Sequence, residues 1–395
     1  MRDGCLVGRP LPVLRAAEFP RTARYRTFCE AVTGPAAQDL AFHHAAADVL
    51  DTLPEGLIPG VNRFGPGECV TMTYSALNDS KAITSYLVHD VVLFPASMAV
   101  FRPGEGLLDL TVDNLGFFGG QLSSIDPSFI DTMAGVHLVY DAMAMPEIDC
   151  IAVPVCGVGF PNYGHFLFDG LGAVLQHLQT IRDPRLRLVG PPLRPWQEEI
   201  LEALGGLDLY LPIETPTRFR RMLLSSMLSF HTSYPTRFVR PLYDSLRFRF
   251  GGPVHSRSGL VLLSRGSDVS RRVLINRCEV EACFAAEGFT VIRPETLSVA
   301  QQAQLMASSV VVAGETGSNL ANAGFCDPGT QVLEILPDCY ADGWIRALCR
   351  QMGLRWNVFL AESRDDTDVR GAGCLSFTVD VEEMRGAIRA VMAAI

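Results

Sequence analysis

The sequence predicts an α/β protein with two domains, and three observations support this fold class. Its 395 residues exceed one ordinary hydrophobic core, because domains average about 150 residues. Apolar residues make up 48% of the chain and charged residues 19%, which is typical of well-packed globular proteins. Strand-length apolar runs alternate with helix-length amphipathic runs, and this alternation favours parallel, doubly wound sheets.

The predicted N-terminal domain covers residues 1–250 and has two portions. Short runs rich in Gly, Thr, Val and Phe at about 55–145 predict a β-rich, antiparallel portion. At about 150–250 an α/β portion follows, with "DCIAVPVCGVG", "LRLVGPP" and "LDLYLPI" as strands and "PWQEEILEALG" as a helix. The stretch "SMLSFHTSYPTRFVRPLYDSLRFRFGGP" is predicted to connect this domain to the next.

Residues 251–395 form the predicted C-terminal domain, where the alternation is clearer. "GLVLLSR", "FTVIRP", "SVVVAG", "QVLEILP" and "LRWNVFL" are predicted strands. A helix is predicted from about Asn276, and a last helix from about Val381. Ser298 and Gln301 have the spacing of a capping box, which predicts a helix start.

Charge and composition exclude several function classes. The formal net charge of −10 argues against nucleic acid as a partner, because phosphate backbones require a basic surface. Lys81 is the single lysine among 33 basic residues, so a P-loop lysine is absent. Arginine is then the natural ligand for a phosphate or carboxylate.

Cysteines and hydropathy predict a cytoplasmic protein. The eleven cysteines include no CxxC pair and are expected to be reduced. The Pro-interrupted first thirty residues contain no apolar signal core, and no apolar run reaches 18 residues. No transmembrane segment is therefore expected. The Arg-rich, Lys-poor composition suggests a bacterial gene.

The stretch "FPNYGHFLFDGLGAVLQHL" predicts one helix with a polar stripe. Offsets of three and four residues bring Asn162, His165 and Asp169 onto one face, while the other face is apolar. Two interpretations stay open. Asn162 could cap the helix and His165 could pair locally with Asp169, or the three side chains could form a catalytic group.

A glycine-rich turn follows the predicted strand in "VVVAGETGSNLANAGF". Gly317 would let the backbone approach a ligand, and the amides of Ser318 and Asn319 would open a helix suited to a phosphate or an oxyanion. Glu315 would repel phosphate, so it is predicted to hold a hydroxyl. An ordinary capped turn is the alternative.

Other charged residues mark the ends or the interior of predicted strands. Arg265 follows "LVLLS", with Arg271 and Arg272 close behind, and such a cluster suits a diphosphate without a metal. Glu334 interrupts the buried strand "VLEIL" and therefore needs a partner, either ribose hydroxyls or a structural arginine. Asp366 and Asp368 form a D-x-D pair that is more typical of a solvated turn than of a metal site.

Taken as an ordered set, "NYGHFLFDGL" and the run from "LLSRGSDVSRR" to "PGTQVLEILP" resemble glycosyltransferase family 61, including its bacterial capsular-polysaccharide-type members. The resemblance covers about residues 150–340. It implies a GT-B architecture of two Rossmann-like domains facing a cleft. It further implies an acceptor-side N-terminal domain, a nucleotide-sugar donor in the C-terminal domain, inversion at the anomeric carbon, and no required metal or other cofactor.

The resemblance also implies site residues. Asn162, His165 and Asp169 match the first family motif, with His165 the predicted base, Asp169 its orienting partner, and the inverse assignment open. The positions that match or neighbour the donor-side motifs are Arg265, Arg271, Glu315, Thr316, Gly317, Ser318, Asn319, Asn322 and Glu334.

The predicted function is thus transfer of a sugar from a nucleotide-sugar to a hydroxyl acceptor (glycan, protein or small molecule) in bacterial polysaccharide or glycoconjugate synthesis. Thr316 and Asn319 stand where many members have His and Gly. This departure keeps one alternative open, a non-catalytic nucleotide-sugar-binding or assembly protein on the same fold. Peripheral association with a membrane and the oligomeric state stay open as well.

Overall fold

The computed structural model describes residues 10–22, 25–35, 38–44, 83–112, 121–139, 145–228, 235, 238–251, 256–266, 272–337, 343–363 and 376–395. Described residues up to 228 form one compact unit, and those from 235 onward form another. The predicted domain bounds stay a prediction. Within the described residues, no helix is long and apolar enough to cross a membrane.

The first unit contains a mixed ten-stranded sheet, a separate hairpin of two strands (Phe129–Thr132 and Gly135–Leu138) and short helices. Its strands are β1 (Val13–Leu14), β2 (Arg21–Thr22), β3 (Leu40–His43), β4 (Thr84–Phe94), β5 (Ala99–Arg102), β6 (Gly106–Leu108), β7 (Phe129–Thr132), β8 (Gly135–Leu138), β9 (Glu147–Pro154), β10 (Leu186–Gly190), β11 (Tyr210–Pro212) and β12 (Thr217–Ser225). Its described α-helices are α1 (Tyr25–Thr33), α2 (Asp109–Val112), α3 (Leu122–Ile125), α4 (Tyr163–Phe168), α5 (Leu171–Thr180) and α6 (Pro195–Ala203).

Strand order in this sheet is β1-β6-β5-β4-β12-β9-β10-β11, with β3 also on β4 and β2 on β3. The strands β12, β9, β10 and β11 run parallel to one another, and β9, β10 and β11 are the three strands predicted for the α/β portion. By contrast, β4 is antiparallel to β3, β5 and β12. Short turns join β4, β5 and β6 and permit only antiparallel pairing, which agrees with the antiparallel portion predicted at about 55–145 as far as those residues are described.

Aromatic side chains fill the core beneath the antiparallel part of this sheet. The rings of Phe94 and Phe129 lie 4.6 Å apart between centroids, and those of Phe94 and Phe101 lie 6.5 Å apart. All three side chains are almost fully buried. This packing attaches the separate hairpin formed by β7 and β8 to the sheet.

The second unit carries a mostly parallel seven-stranded sheet. Its strands are β13 (Gly259–Leu263), β14 (Val273–Leu274), β15 (Thr290–Ile292), β16 (Ser309–Glu315), β17 (Gln331–Pro337), β18 (Arg355–Ser363) and β19 (Ser376–Thr378), in the order β14-β19-β18-β17-β16-β13-β15. Its described α-helices are α7 (Val239–Phe250), α8 (Arg277–Ala286), α9 (Val299–Ala307), α10 (Trp344–Met352) and α11 (Val381–Met392). Only the β18–β19 pair is antiparallel among the described strand pairs of this unit.

Side chains alternate between the two faces of the parallel sheet. Leu333 and Ile335 of β17 pack with α8 and α11 in one apolar cluster. Position 334 between them faces the other way, because successive strand residues point to opposite faces. On the side of α7, the Tyr243 hydroxyl donates to the Ala321 carbonyl over 2.7 Å. A Cβ at Gly324 would lie 2.3 Å from the Tyr243 ring, so glycine is required there.

Most predicted helix boundaries of this unit are confirmed. The Ser298 hydroxyl accepts from the Gln301 amide over 3.2 Å, and the Gln301 side chain accepts from the Ser298 amide over 2.9 Å, which completes the capping box. The last helix begins at Val381. The predicted connecting stretch is wrong in part, because it contains the twelve-residue helix α7.

Candidate active site

The predicted site residues divide between the two units. Asn162, His165 and Asp169 lie in the first unit, after the end of β9, and the predicted donor-side residues lie in the second.

Gly170 divides the segment that the sequence predicts as one helix. Its φ of +147° is outside the helical region, so α4 ends at Phe168 and α5 begins at Leu171. A Cβ at position 170 would lie 2.9 Å from the Val155 carbonyl oxygen. The continuous helix is therefore wrong, and Asp169 occupies the C-terminal cap of α4.

The His165 imidazole and the Asp169 carboxylate form a hydrogen-bonded pair. His165 Nδ1 lies 2.7 Å from Asp169 Oδ2. The His165 side chain is 30% exposed, whereas that of Asp169 is 3% exposed. When Nδ1 carries a proton and donates it to Asp169, Nε2 of the neutral ring is the basic nitrogen. The arrangement can therefore orient an accessible imidazole as a proton acceptor.

Burial governs the electrostatics of Asp169. Desolvation raises the pKa of its carboxyl group, and the hydrogen bond and charge of His165 oppose that effect. Its Oδ1 is buried and has no hydrogen-bond partner among the described residues. Because Asp169 is enclosed, His165 is the member of the pair that a substrate hydroxyl could reach.

Two neighbours fix the position of His165. The Asn162 side-chain oxygen accepts the His165 backbone N–H over 3.1 Å and caps α4. A Cβ at Gly159 would lie 2.5 Å from His165 Cβ and 2.7 Å from its Cγ, so only glycine leaves room for this side chain. Gly159 was not among the predicted site residues, although the glycines in "CGVGFPNYGH" were a usable signal.

Helix α6 supports the loop that precedes α4. The Gln197 amide nitrogen donates to the Phe160 carbonyl over 2.8 Å, and the Trp196 ring lies 5.2 Å from that of Phe166. Gln197 is fully buried. These contacts join the segment carrying His165 to a rigid element, and no local pattern around His165 predicted them.

In the second unit, Arg265 and Gly317 follow neighbouring parallel strands. β13 pairs with β16, so the carboxyl ends of both strands meet at one edge of the sheet. Gly317 has a φ of +143°, and a Cβ there would lie 3.4 Å from Arg272 Nη2 and 3.7 Å from Arg265 Cζ. Two guanidinium groups thus flank this glycine turn. Arg271 lies outside the described residues.

The Glu315 side chain is buried and not exposed to solvent. Its side chain is 4% exposed, and its Oε2 lies 3.2 Å from Arg277 Nη2. Desolvation raises the pKa of Glu315, and the charges of Arg277 and Arg265 oppose that effect. Arg277 also donates to the Arg265 carbonyl. Glu315 therefore anchors the arginine that supports the Arg265 loop, a role that the sequence analysis did not anticipate.

The residues after Gly317 form a 3-10 helix, Ser318–Phe325, instead of an α-helix. The Asn319 side chain donates to the Ser264 carbonyl over 3.3 Å, and that of Asn322 donates to the Asn319 carbonyl over 3.1 Å. Thr316 is 1% exposed, and its hydroxyl has no hydrogen-bond partner among the described residues. The partly buried Asn319 and the buried Asn322 thus help to shape the turn.

Glu334 lies fully inside the second unit. Its Oε2 accepts the Trp356 indole N–H over 2.8 Å, and the residue has no exposed surface. The indole was not among the partners expected from the sequence. Full enclosure is better suited to a structural role than to binding ribose.

Possible metal ligands are not grouped in the described part of the chain: no three His, Cys, Asp or Glu side chains could share an ion there. The Asp366–Asp368 pair lies outside the described residues. Metal-independent chemistry therefore stays a prediction.

Comparison with known proteins supports the family resemblance. The family model described as Glycosyltransferase 61 matches residues 163–333, less than half of the 395-residue chain. This match includes His165, Asp169, Arg265 and Gly317, and it supports glycosyl transfer as the activity.

The other comparisons add no family. No curated protein matches the chain. Among solved structures, a flavo di-iron protein mutant from Thermotoga maritima is similar over 79% of this chain and 90% of that one, with 9% identity and a TM-score of 0.25. A TM-score this low has no bearing on fold or activity.

Proposed function

We propose that the protein is an inverting, metal-independent glycosyltransferase that moves a sugar from a nucleotide-sugar to a hydroxyl acceptor. The observation that carries this proposal is the bond between His165 and Asp169 inside the region that matches the family model. We assign it to the GT-B class and to cytoplasmic, bacterial polysaccharide or glycoconjugate synthesis, as the resemblance implies.

In the proposed reaction, His165 is the general base. Its Nε2 takes the acceptor hydroxyl proton while the hydroxyl oxygen forms a bond to the anomeric carbon. The bond from that carbon to the diphosphate oxygen breaks, and the nucleoside diphosphate leaves with the electron pair. Attack opposite the leaving group inverts the anomeric centre. Asp169 keeps the Nδ1 proton in place and stabilises the imidazolium that forms.

The leaving diphosphate needs positive charge and hydrogen-bond donors. Arg265 and Arg272 supply two guanidinium groups beside Gly317, where the absence of a side chain leaves room for an oxyanion. Arg277 is a positioning residue, because it contacts the Arg265 carbonyl and Glu315 instead. The base and the anion-binding group fall in different units, and each can be tested separately.

The test begins with calorimetric titration of the full chain with UDP-, GDP-, dTDP- and CMP-sugars, each with EDTA and with magnesium. Micromolar binding of one donor class, unchanged by EDTA, is the expected result. Binding that requires magnesium would contradict the metal-independent mechanism. Donor binding without any transfer or hydrolysis would favour the non-catalytic sugar-nucleotide-binding alternative, and absence of binding would refute the proposal.

A further inference from the structure

In the first unit, one edge of strand β4 pairs with two different strands along its length. β12 pairs with one edge from Ser85 to Leu93, so β3 and β5 must share the other edge. Along it, β3 pairs with residues 84–87 and β5 pairs with residues 92–94. Among the described strands, none pairs with residues 88–91 on this side, and such a gap exposes polar backbone groups.

Side chains close this gap. The Asp39 carboxylate accepts the His89 backbone N–H over 3.0 Å and its ring Nδ1–H over 3.2 Å. The other Asp39 oxygen lies 2.5 Å from Arg102 Nη2. Burial opposes ionisation of Asp39, but the bonds from His89 and Arg102 outweigh it and lower the pKa. Asp39 is therefore a carboxylate at neutral pH.

Arg218 adjoins this cluster and donates to Asp90 over 3.4 Å. Three polar atoms of these residues have no partner among the described residues. They are Nε2 of His89, Nε of Arg102 and Nε of Arg218, and all three atoms are buried. His89 is 7% exposed, and its Nδ1–H is used by Asp39, so its Nε2 is a hydrogen-bond acceptor. Unsatisfied buried polar groups are rare in folded proteins, so these three atoms call for a partner such as ordered water or a bound ligand.

A pocket of about 570 Å³ lies against the same residues. Its volume is that of a small-molecule site, for which about 300–1,000 Å³ is usual. Asp90 and Glu105 also line it, and both side chains are more than half exposed. Asp90 has a φ of +50°, a backbone conformation that is uncommon outside glycine.

The mixture of donors and acceptors selects a ligand class. A phosphate would meet the carboxylates of Asp39, Asp90 and Glu105, and an apolar ligand would leave the arginine and imidazole nitrogens unsatisfied. Hydroxyl groups both donate and accept, so a polyhydroxylated ligand can satisfy both kinds of atom. We propose that this pocket is a carbohydrate-binding site on the acceptor side, distinct from the His165 site.

Position along β9 separates the two sites. Arg218 is in register with Glu147 at the start of β9, whereas the segment carrying His165 follows Pro154 at its end. These strand ends are about 23 Å apart at roughly 3.3 Å per residue. The pocket would hold part of an extended glycan away from the reacting hydroxyl. The assignment of this pocket to the acceptor rests on the proposed function. Carbohydrate binding to the pocket, however, can be measured without any transfer reaction.

The probes are methyl glycosides of glucose, galactose, mannose and N-acetylglucosamine, together with their di- to tetrasaccharides, without any donor. Saturation-transfer NMR detects binding to the full chain, and titration gives the affinity. Arg218→Gln and Glu105→Gln are expected to weaken binding about tenfold or more, because each removes one partner of the ligand. Arg220→Gln is the matched control, because Arg220 and Arg218 both pair with Glu147 but Arg220 does not line the pocket.

Absence of binding by the wild-type protein to every probe would overturn the inference. Equal affinities in Arg218→Gln and Arg220→Gln would overturn it as well, as would loss of binding in His165→Ala alone. Melting temperatures within a few degrees of wild type establish that each variant is folded. Because the donor titration is a separate measurement, failure of the proposed transfer can be distinguished from failure of this pocket.

Discussion

His165 Nδ1 lies 2.7 Å from Asp169 Oδ2, and the two residues belong to a single short turn of structure. α4 has six residues, and Asp169 is its cap because Gly170, with a φ of +147°, does not continue the helix. The same break encloses Asp169 and leaves His165 partly exposed. A buried carboxylate that orients an accessible imidazole is the arrangement expected of a general base and its partner.

Replacing either His165 or Asp169 is expected to reduce catalysis severely without changing the affinity for the donor. His165→Ala and Asp169→Asn should lower the transfer or donor-hydrolysis rate by about 100-fold to 10,000-fold, the usual contribution of general base catalysis. Donor affinity, measured by calorimetry, should stay within about twofold of wild type. His177→Ala is a poor control because His177 is buried, so the variant His137→Ala, at a partly exposed position of strand β8, serves instead. A large loss of donor affinity would assign the pair to donor binding.

Asp169→Asn should also reveal the cost of a buried charge. Because burial raises the pKa of Asp169, the folded protein holds this proton more tightly than the unfolded chain does. The contribution of Asp169 to the free energy of unfolding is therefore fully present below the pKa that this group has in the unfolded chain. It falls as pH rises through the pKa that the group has in the folded protein. The melting temperature of Asp169→Asn should exceed that of wild type at neutral pH, and the difference should vanish below about pH 4.

Asp183 is a control for which the dependence of stability on pH has the opposite sign. Its hydrogen bonds with Arg185 lower the pKa of Asp183, so its stabilising contribution is present above the unfolded pKa and is lost as pH falls through the folded pKa. Asp183→Asn should therefore lower the melting temperature at neutral pH. The prediction for Asp169 fails if both variants melt below wild type at neutral pH.

Gly159→Ala should displace the His165 imidazole without removing any of the proposed catalytic groups. The new Cβ would lie 2.5 Å from His165 Cβ, so the histidine must move. A fall of about tenfold to a hundredfold in the turnover rate is expected, since small displacements of a catalytic group can cost that much. Gly386→Ala in α11 is the matched control, because nothing lies within 4 Å of a Cβ there. Equal activities of the two variants would exclude this positioning role.

Arg265→Gln and Arg272→Gln should weaken donor binding. Each removes a charged hydrogen-bond donor beside Gly317, and such bonds contribute about 1.5–3 kcal/mol, or roughly tenfold to a hundredfold in affinity. Arg249→Gln, an exposed arginine at the end of α7, should bind the donor like wild type. Calorimetric affinities for the nucleoside diphosphate and the nucleotide-sugar give the comparison. Unchanged affinities would place the diphosphate elsewhere.

Local patterns predicted the second unit better than the first. The capping box at Ser298 and the helix start at Val381 depend on neighbouring residues, and both are confirmed. The sequence analysis did not predict β12, although it lies at the centre of the first sheet. Its register shifts between Phe219 and Arg221, and that irregularity breaks the alternation by which a strand is found in a sequence.

The candidate site was predictable only where its contacts are local. His165 and Asp169 are four residues apart, so helical spacing predicted their contact. The Arg277–Glu315 pair joins residues 38 positions apart, and Asp39 reaches His89 across 50 positions. Such contacts depend on which strands become neighbours, and local spacing carries no information about that pairing.

The most direct test of the central claim is donor hydrolysis, with water as the acceptor, by wild type and His165→Ala at saturating donor. This measurement needs no knowledge of the natural acceptor, because the proposed base also takes the proton from water. We predict nucleoside diphosphate release by wild type, a loss of at least about a hundredfold in His165→Ala, and equal donor affinities. Equal hydrolysis rates in the two proteins would contradict the assignment of His165 as the base.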